Sequence, residues 1–114
     1  MRIWRRGLLV LLSSAAVLLG AEPKDCLSMD ARIDNDVSSP SGVRVTITGR
    51  NNCSEDLDGD HARFKVQAIG MSGSAIATQN GSFGGTIRAH GQVETKVFVA
   101  CDPDRVRSVR VEHR

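Results

Sequence analysis

Apolar and polar residues alternate along most of the chain beyond residue 26. Leu27, Met29, Ala31 and Ile33 alternate with Ser28, Asp30, Arg32 and Asp34. Val43, Val45 and Ile47 alternate with Arg44, Thr46 and Thr48. Ala62, Phe64, Val66 and Ala68 alternate with Arg63, Lys65 and Gln67. Val93, Thr95, Val97 and Val99 share one phase against Gln92, Glu94 and Lys96, and Val109 and Val111 oppose Arg110 and Glu112. A period of two places one face of each segment against a core and the other in water, as in a half-buried strand. The β-branched residues in these runs suit a pleated surface. Ala75 to Gln79 and Gly85 to Arg88 are weaker strand candidates.

Turn chemistry separates the runs. Asn35 to Gly42 contains Pro40, Gly70 to Ser74 is small and polar, and Asn80 to Gly85 opens on Asn-Gly. His90-Gly91 and the stretch from Cys101 to Asp104, with Pro103, complete the set. Outside the N-terminal region no window keeps a 3.6-residue apolar period for three turns. The pattern predicts an all-β fold, a small immunoglobulin-like β-sandwich of about seven strands. Val45, Ile47, Phe64, Val66, Val97 and Val99 form its expected core, and Arg44, Lys65 and Lys96 point to water. Asn80-Gly81 reads as a hairpin turn.

The N-terminus follows a different rule. Arg2, Arg5 and Arg6 precede an apolar run from Leu8 to Leu19 broken by Ser13 and Ser14, and Gly20-Ala21 is followed by Glu22-Pro23-Lys24. That order is a secretory signal peptide, with cleavage expected after Ala21. The apolar stretch of about 13 residues makes about 20 Å of helix, short of the roughly 30 Å hydrocarbon core, which argues against a retained anchor. Asp25 precedes Cys26 where lipid attachment calls for a small residue, so lipidation is not expected. Arg5-Arg6 also fits a twin-arginine address, so the export route is open. The expected organisation is a signal peptide over 1–21 and one domain over 22–114. Removing three arginines and no acid takes the formal charge from +2 to −1. A near-neutral domain gives no reason to expect nucleic acid as a partner. No membrane span is expected in the mature chain, and the expected location is secreted or periplasmic.

Loss of Trp4 leaves Phe64, Phe83 and Phe98 as the aromatic residues. So thin a core benefits from a covalent staple. Cys26, Cys53 and Cys101 all lie beyond the cleavage point, and export places them where disulfides persist. Three cysteines make one bond and one spare thiol. If the seven strands alternate in direction, all three sit at one end of the sandwich. The bond Cys53–Cys101 is favoured, since it closes the longer loop, with Cys26 free or paired between chains. Cys26–Cys53 is the alternative. No C-x-x-C and no histidine at finger spacing supports a structural metal site.

Other constellations have plain readings. Asp56, Asp58 and Asp60 around Gly59 resemble part of a calcium loop, but Gln67 stands at the twelfth place where glutamate belongs. They are weak metal candidates in what reads as a solvated acidic loop between strands. Asn80-Gly81-Ser82-Phe83-Gly84 is one residue from a nucleophile elbow, with no helix predicted to follow. Asn52-Cys53-Ser54 and Asn80-Gly81-Ser82 are formal glycosylation sequons. His61, His90 and His113 are isolated. Arg105, Arg107, Arg110 and Arg114 make the last strand basic, as suits an edge that avoids aggregation.

The run Val43 to Asn52 ends a strand in Gly49, Asn51 and Asn52. Phe64 to Ile69 is followed by Gly73, and His90-Gly91-Gln92 leads into Val93 to Val99. This layout resembles the FxLYD-type domain, an immunoglobulin-like sandwich of exported bacterial and archaeal proteins, over roughly Val43 to Glu112. At the positions of the eponymous motif this chain carries Val66, Ala68, Ile69 and Gly70. The resemblance implies a fold and an accessory or binding role, with no catalytic site to transfer. The expected function is an exported, non-enzymatic binding or accessory module of the cell envelope or secretome. Its expected partner is a protein or envelope component, without catalytic residues or a cofactor. The alternative is a secreted metal-handling protein, using Ca²⁺ or a thiol.

Overall fold

The computed structural model describes residues 22–34 and 39–114; the expected signal peptide and part of the turn before Gly42 lie outside them. A one-turn helix α1 (Pro23–Cys26) leads into β1 (Leu27–Ile33). Then come β2 (Gly42–Asn51), β3 (Leu57–Asp58), β4 (Arg63–Gly70) and β5 (Ala75–Ser82). The two-residue strand β6 (Thr86–Ile87), β7 (Gln92–Ala100), a 3₁₀ turn (Pro103–Arg105) and β8 (Val106–His113) complete the order. Among the described residues eight strands occur where about seven are expected. All pairings are antiparallel: β1-β2-β7 in one sheet, β5-β4-β8 in the other, and β3-β6 as a small side sheet.

The two three-stranded sheets bury a common core. Val43, Val45 and Ile47 of β2 and Val99 of β7 meet Phe64, Val66 and Ala68 of β4. The central strands β2 and β4 supply most of it because each has a neighbour on both sides. Phe64 is fully buried, and its ring meets that of Phe83 edge to face at a centroid separation of 5.2 Å. The chain is a small all-β sandwich, as the alternation requires.

Details of burial depart from the alternation for local reasons. Val97 is half-buried rather than buried, since β7 is an edge strand. Lys65 is half-buried, its ammonium 2.8 Å from Glu112 on the neighbouring strand. That hydrogen bond and the lysine charge hold the Glu112 carboxyl below its ordinary range. Thr46 is buried on the outer face, where the Lys96 ammonium donates to its Oγ1 at 3.2 Å and pairs with Asp34 at the same distance.

Asn80-Gly81 is not a hairpin turn. Both residues lie inside β5, paired with Lys65 and Phe64. A Cβ on Gly81 would stand 2.8 Å from the Phe64 ring, so the glycine makes room for the largest core side chain. The turn instead follows β5, at Gly84 and Gly85, both with positive φ. The acidic loop from Asp56 contributes β3, which pairs with β6 in two residues.

Truncating the buried Phe64 ring removes its contact with Phe83 and leaves a void between the sheets. Phe64→Ala is expected to lower the unfolding free energy by about 3–5 kcal/mol, read from urea denaturation. A loss under about 1 kcal/mol would show that Phe64 does not anchor the core.

Candidate functional site

The chemistry-bearing side chains divide between the two ends of the sandwich. At one end β1 begins and β2 finishes, because Leu27 pairs with Asn51. The Asn52 N–H donates to the Cys26 carbonyl at 2.9 Å, which sets Cys53 beside Cys26. These two form the disulfide, with Cα atoms 5.3 Å apart. In the chain-entropy model, closing a loop between residues 27 apart contributes roughly 3–4 kcal/mol.

The favoured pairing of Cys53 with Cys101 is therefore corrected, and so is the assignment of the spare thiol to Cys26. β7 runs antiparallel to β2, so Ala100 pairs with Gly42 at the start of β2. The Cys101 N–H donates to the Ser41 carbonyl at 3.1 Å. Cys101 thus sits at the opposite end of a ten-residue strand, about 30 Å from Cys53. The error is one of parity. Counting Gly85 to Arg88 as a full strand reverses the direction assigned to the run that follows. Thr86 and Ile87 pair only with β3 and do not span the sandwich.

Around the disulfide lies a minor core of Cys26, Leu27, Leu57, Ala62 and Ile87. Its organiser is Asn51, which is fully buried. The Asn51 Nδ2 donates to the carbonyls of Glu55 at 2.7 Å and of Ile87 and Arg88 at 3.2 Å each. Its Oδ1 accepts from the Cys53 N–H at 3.0 Å. One amide thereby ties the end of β2 to the loop after it and to the end of β6 with the residue that follows. The sequence marks Asn51 only as one of two asparagines ending a strand; its burial depends on partners about 36 residues away.

Two of the acidic side chains at this end, Asp56 and Asp58, are engaged by protein groups. Asp56 accepts the Ala89 N–H at 2.9 Å. Asp58 accepts the Asp60 N–H at 2.9 Å through Oδ1, and its Oδ2 lies 3.2 Å from Nδ1 of His61. Gly59 is required by a backbone crossing rather than by a bound ion, since its N–H donates to Gly85 at 2.6 Å and Gly84 donates back to it at 3.1 Å. Asp56, Asp58 and Asp60 line one shallow depression with Leu57, Gly85 and Thr86. Among the described residues no group of three or more histidines, cysteines or acids is placed to hold a metal ion.

The histidines do not converge. His61 pairs with Asp58, and His90 occupies a turn with φ 58°. The His113 ring nitrogen Nε2 lies 2.8 Å from the Leu27 carbonyl and joins the last strand to the first. Ser82, the serine of the elbow-like pattern, is an exposed end residue of β5 with no helix after it. On β8 the Arg110 guanidinium donates twice to Gln67 Oε1, at 2.6 and 3.1 Å.

At the far end Cys101 carries the free thiol and is half-buried. Burial pushes the thiol pKa up, the Asp102 carboxylate adds to this, and a hydrogen bond with the Val43 backbone opposes both. The thiol donates to the Val99 carbonyl at 3.5 Å. A raised pKa keeps it protonated and slow at neutral pH.

Two outcomes are expected. Asn51→Ala leaves buried carbonyls without a donor and should cost about 2–4 kcal/mol in urea denaturation. Non-reducing peptide mapping should return Cys26 linked to Cys53, with Cys101 alkylated more slowly than an exposed cysteine at neutral pH and faster as pH rises. A linked Cys53–Cys101 peptide would refute this arrangement.

No family model, no curated protein and no solved structure matches this chain.

Proposed function

We propose that the chain is an exported, non-enzymatic immunoglobulin-like module that binds a protein or envelope component in the periplasm or outside the cell. The observation that carries this reading is the Cys26–Cys53 bond, which suits an oxidising compartment. The charged-then-apolar order of residues 1–21 supports export by a cleaved signal peptide. Among the described residues no helix is long and apolar enough to cross a membrane. The layout resemblance to the FxLYD-type domain supports an accessory rather than a catalytic role. Binding would use loops or the free backbone groups of the outer strands.

Intact-mass analysis of the chain, expressed with its own N-terminus and recovered from periplasm or medium, tests this. The expected product begins at Glu22 and is lighter by the two hydrogens of one disulfide. Recovery of the full-length chain embedded in membrane, or of three free thiols, would overturn the reading.

A further inference from the structure

The two three-stranded sheets have four outer strands, β1, β7, β5 and β8. Three of them carry charge along their length: Asp30 and Arg32 on β1, Glu94 and Lys96 on β7, and Arg107, Arg110 and Glu112 on β8. Charged side chains on an outer strand oppose the addition of another strand. β5 differs. Its eight residues, Ala75-Ile76-Ala77-Thr78-Gln79-Asn80-Gly81-Ser82, include no charge and no proline. From Arg63 to Gln67 it pairs with β4 without interruption, and the one irregularity lies at the far end, between Ala68 and Ile69.

The middle of this strand is open. Thr78, Gln79 and Asn80 are all exposed, although Gln79 pairs with the buried Val66 and so lies in the core phase. The opposite sheet therefore leaves the strand uncovered at Gln79, while Ile76 and Ala77 nearer its start pack against the core. The Gln79 side-chain amide folds back on the Asn80 carbonyl at 3.2 Å, a local bond made on an exposed strand.

We infer that β5 is a self-pairing edge: two copies of this chain join antiparallel through β5 into one continuous six-stranded sheet. A two-fold axis normal to the sheet lays the reversed strand of one copy along the free side of the other, and so closes after two chains. Near that axis Thr78, Gln79 and Asn80 meet the same residues of the second copy. These side chains both donate and accept hydrogen bonds and bring no like charges together. Arg107 and Arg110 on β8, or Asp30 and Arg32 on β1, offer no comparable neutral stretch. The contact rests on one strand and falls below the roughly 1,200 Å² of a standard stable interface, so the dimer is weak and reversible.

Sedimentation analysis of the disulfide-bonded chain carrying Cys101→Ser tests this without thiol cross-linking. The average mass should rise from one chain towards two as concentration increases from about 10 μM to about 1 mM, the range in which weak interfaces assemble. Thr78→Glu, which lies across from Gln67 and near Lys65, should keep the fold and remain monomeric throughout. Gln79→Glu serves as an independent second variant with the same expected loss. Mixing Thr78→Glu with Thr78→Lys should restore association, since the charges are then opposite across the axis. A chain that stays monomeric to about 1 mM overturns the proposal and leaves this edge to a strand of another protein. A dimer that both glutamate variants leave intact, or a mixture that does not reassociate, overturns it as well.

Discussion

A carboxamide buried at the end of a strand has to find partners for every polar atom, and Asn51 finds them in two separate segments. Its Nδ2 takes the carbonyls of Glu55, Ile87 and Arg88, and its Oδ1 takes the Cys53 N–H. These bonds bring the loop after β2 against the end of β6, and that proximity allows two-residue strands to pair at Leu57–Asp58 and Thr86–Ile87. Leu57 and Ile87 then close a minor core over Cys26 and Ala62. The same amide fixes the backbone of Cys53 two residues from the strand end, where the disulfide forms. A buried polar group is costly when unpaired, so this end of the domain has one arrangement that satisfies it.

The remainder follows from direction. Among the described residues six strands are long enough to span the sandwich, and they alternate up and down in chain order. That order sends the disulfide to one end and Cys101 to the other. It also leaves β1 and β7, and β5 and β8, as the outer strands of the two sheets. The charges on β1, β7 and β8 and their absence from β5 give the four edges different capacities for pairing. The proposed binding role would fall to edges and loops, because the interior is filled by Phe64, Ile47 and the valines around them.

Much of this was legible in the sequence. Leu27 to Ile33 forms a strand over the residues its alternation marks, and Val45, Ile47, Phe64, Val66 and Val99 are buried as their phase requires. Asn80-Gly81 misled, because a local turn signal was outweighed by the need to seat the Phe64 ring beside a residue with no side chain. The cysteines misled for a different reason. Their pairing depends on how many strands cross the sandwich between them, and a two-residue strand looks like a full one when read from composition.

Period-two patterning by itself determined the strands, their inward faces and the all-β class, since side-chain direction along an extended chain is set residue by residue. Tertiary structure alone decided the rest: that Asn51 is buried, that β3 exists, that Cys26 meets Cys53, and that Cys101 stands apart. Each of these joins segments some 27 to 37 residues distant, or depends on strand direction. Such contacts are non-local, and no short window of sequence contains both partners.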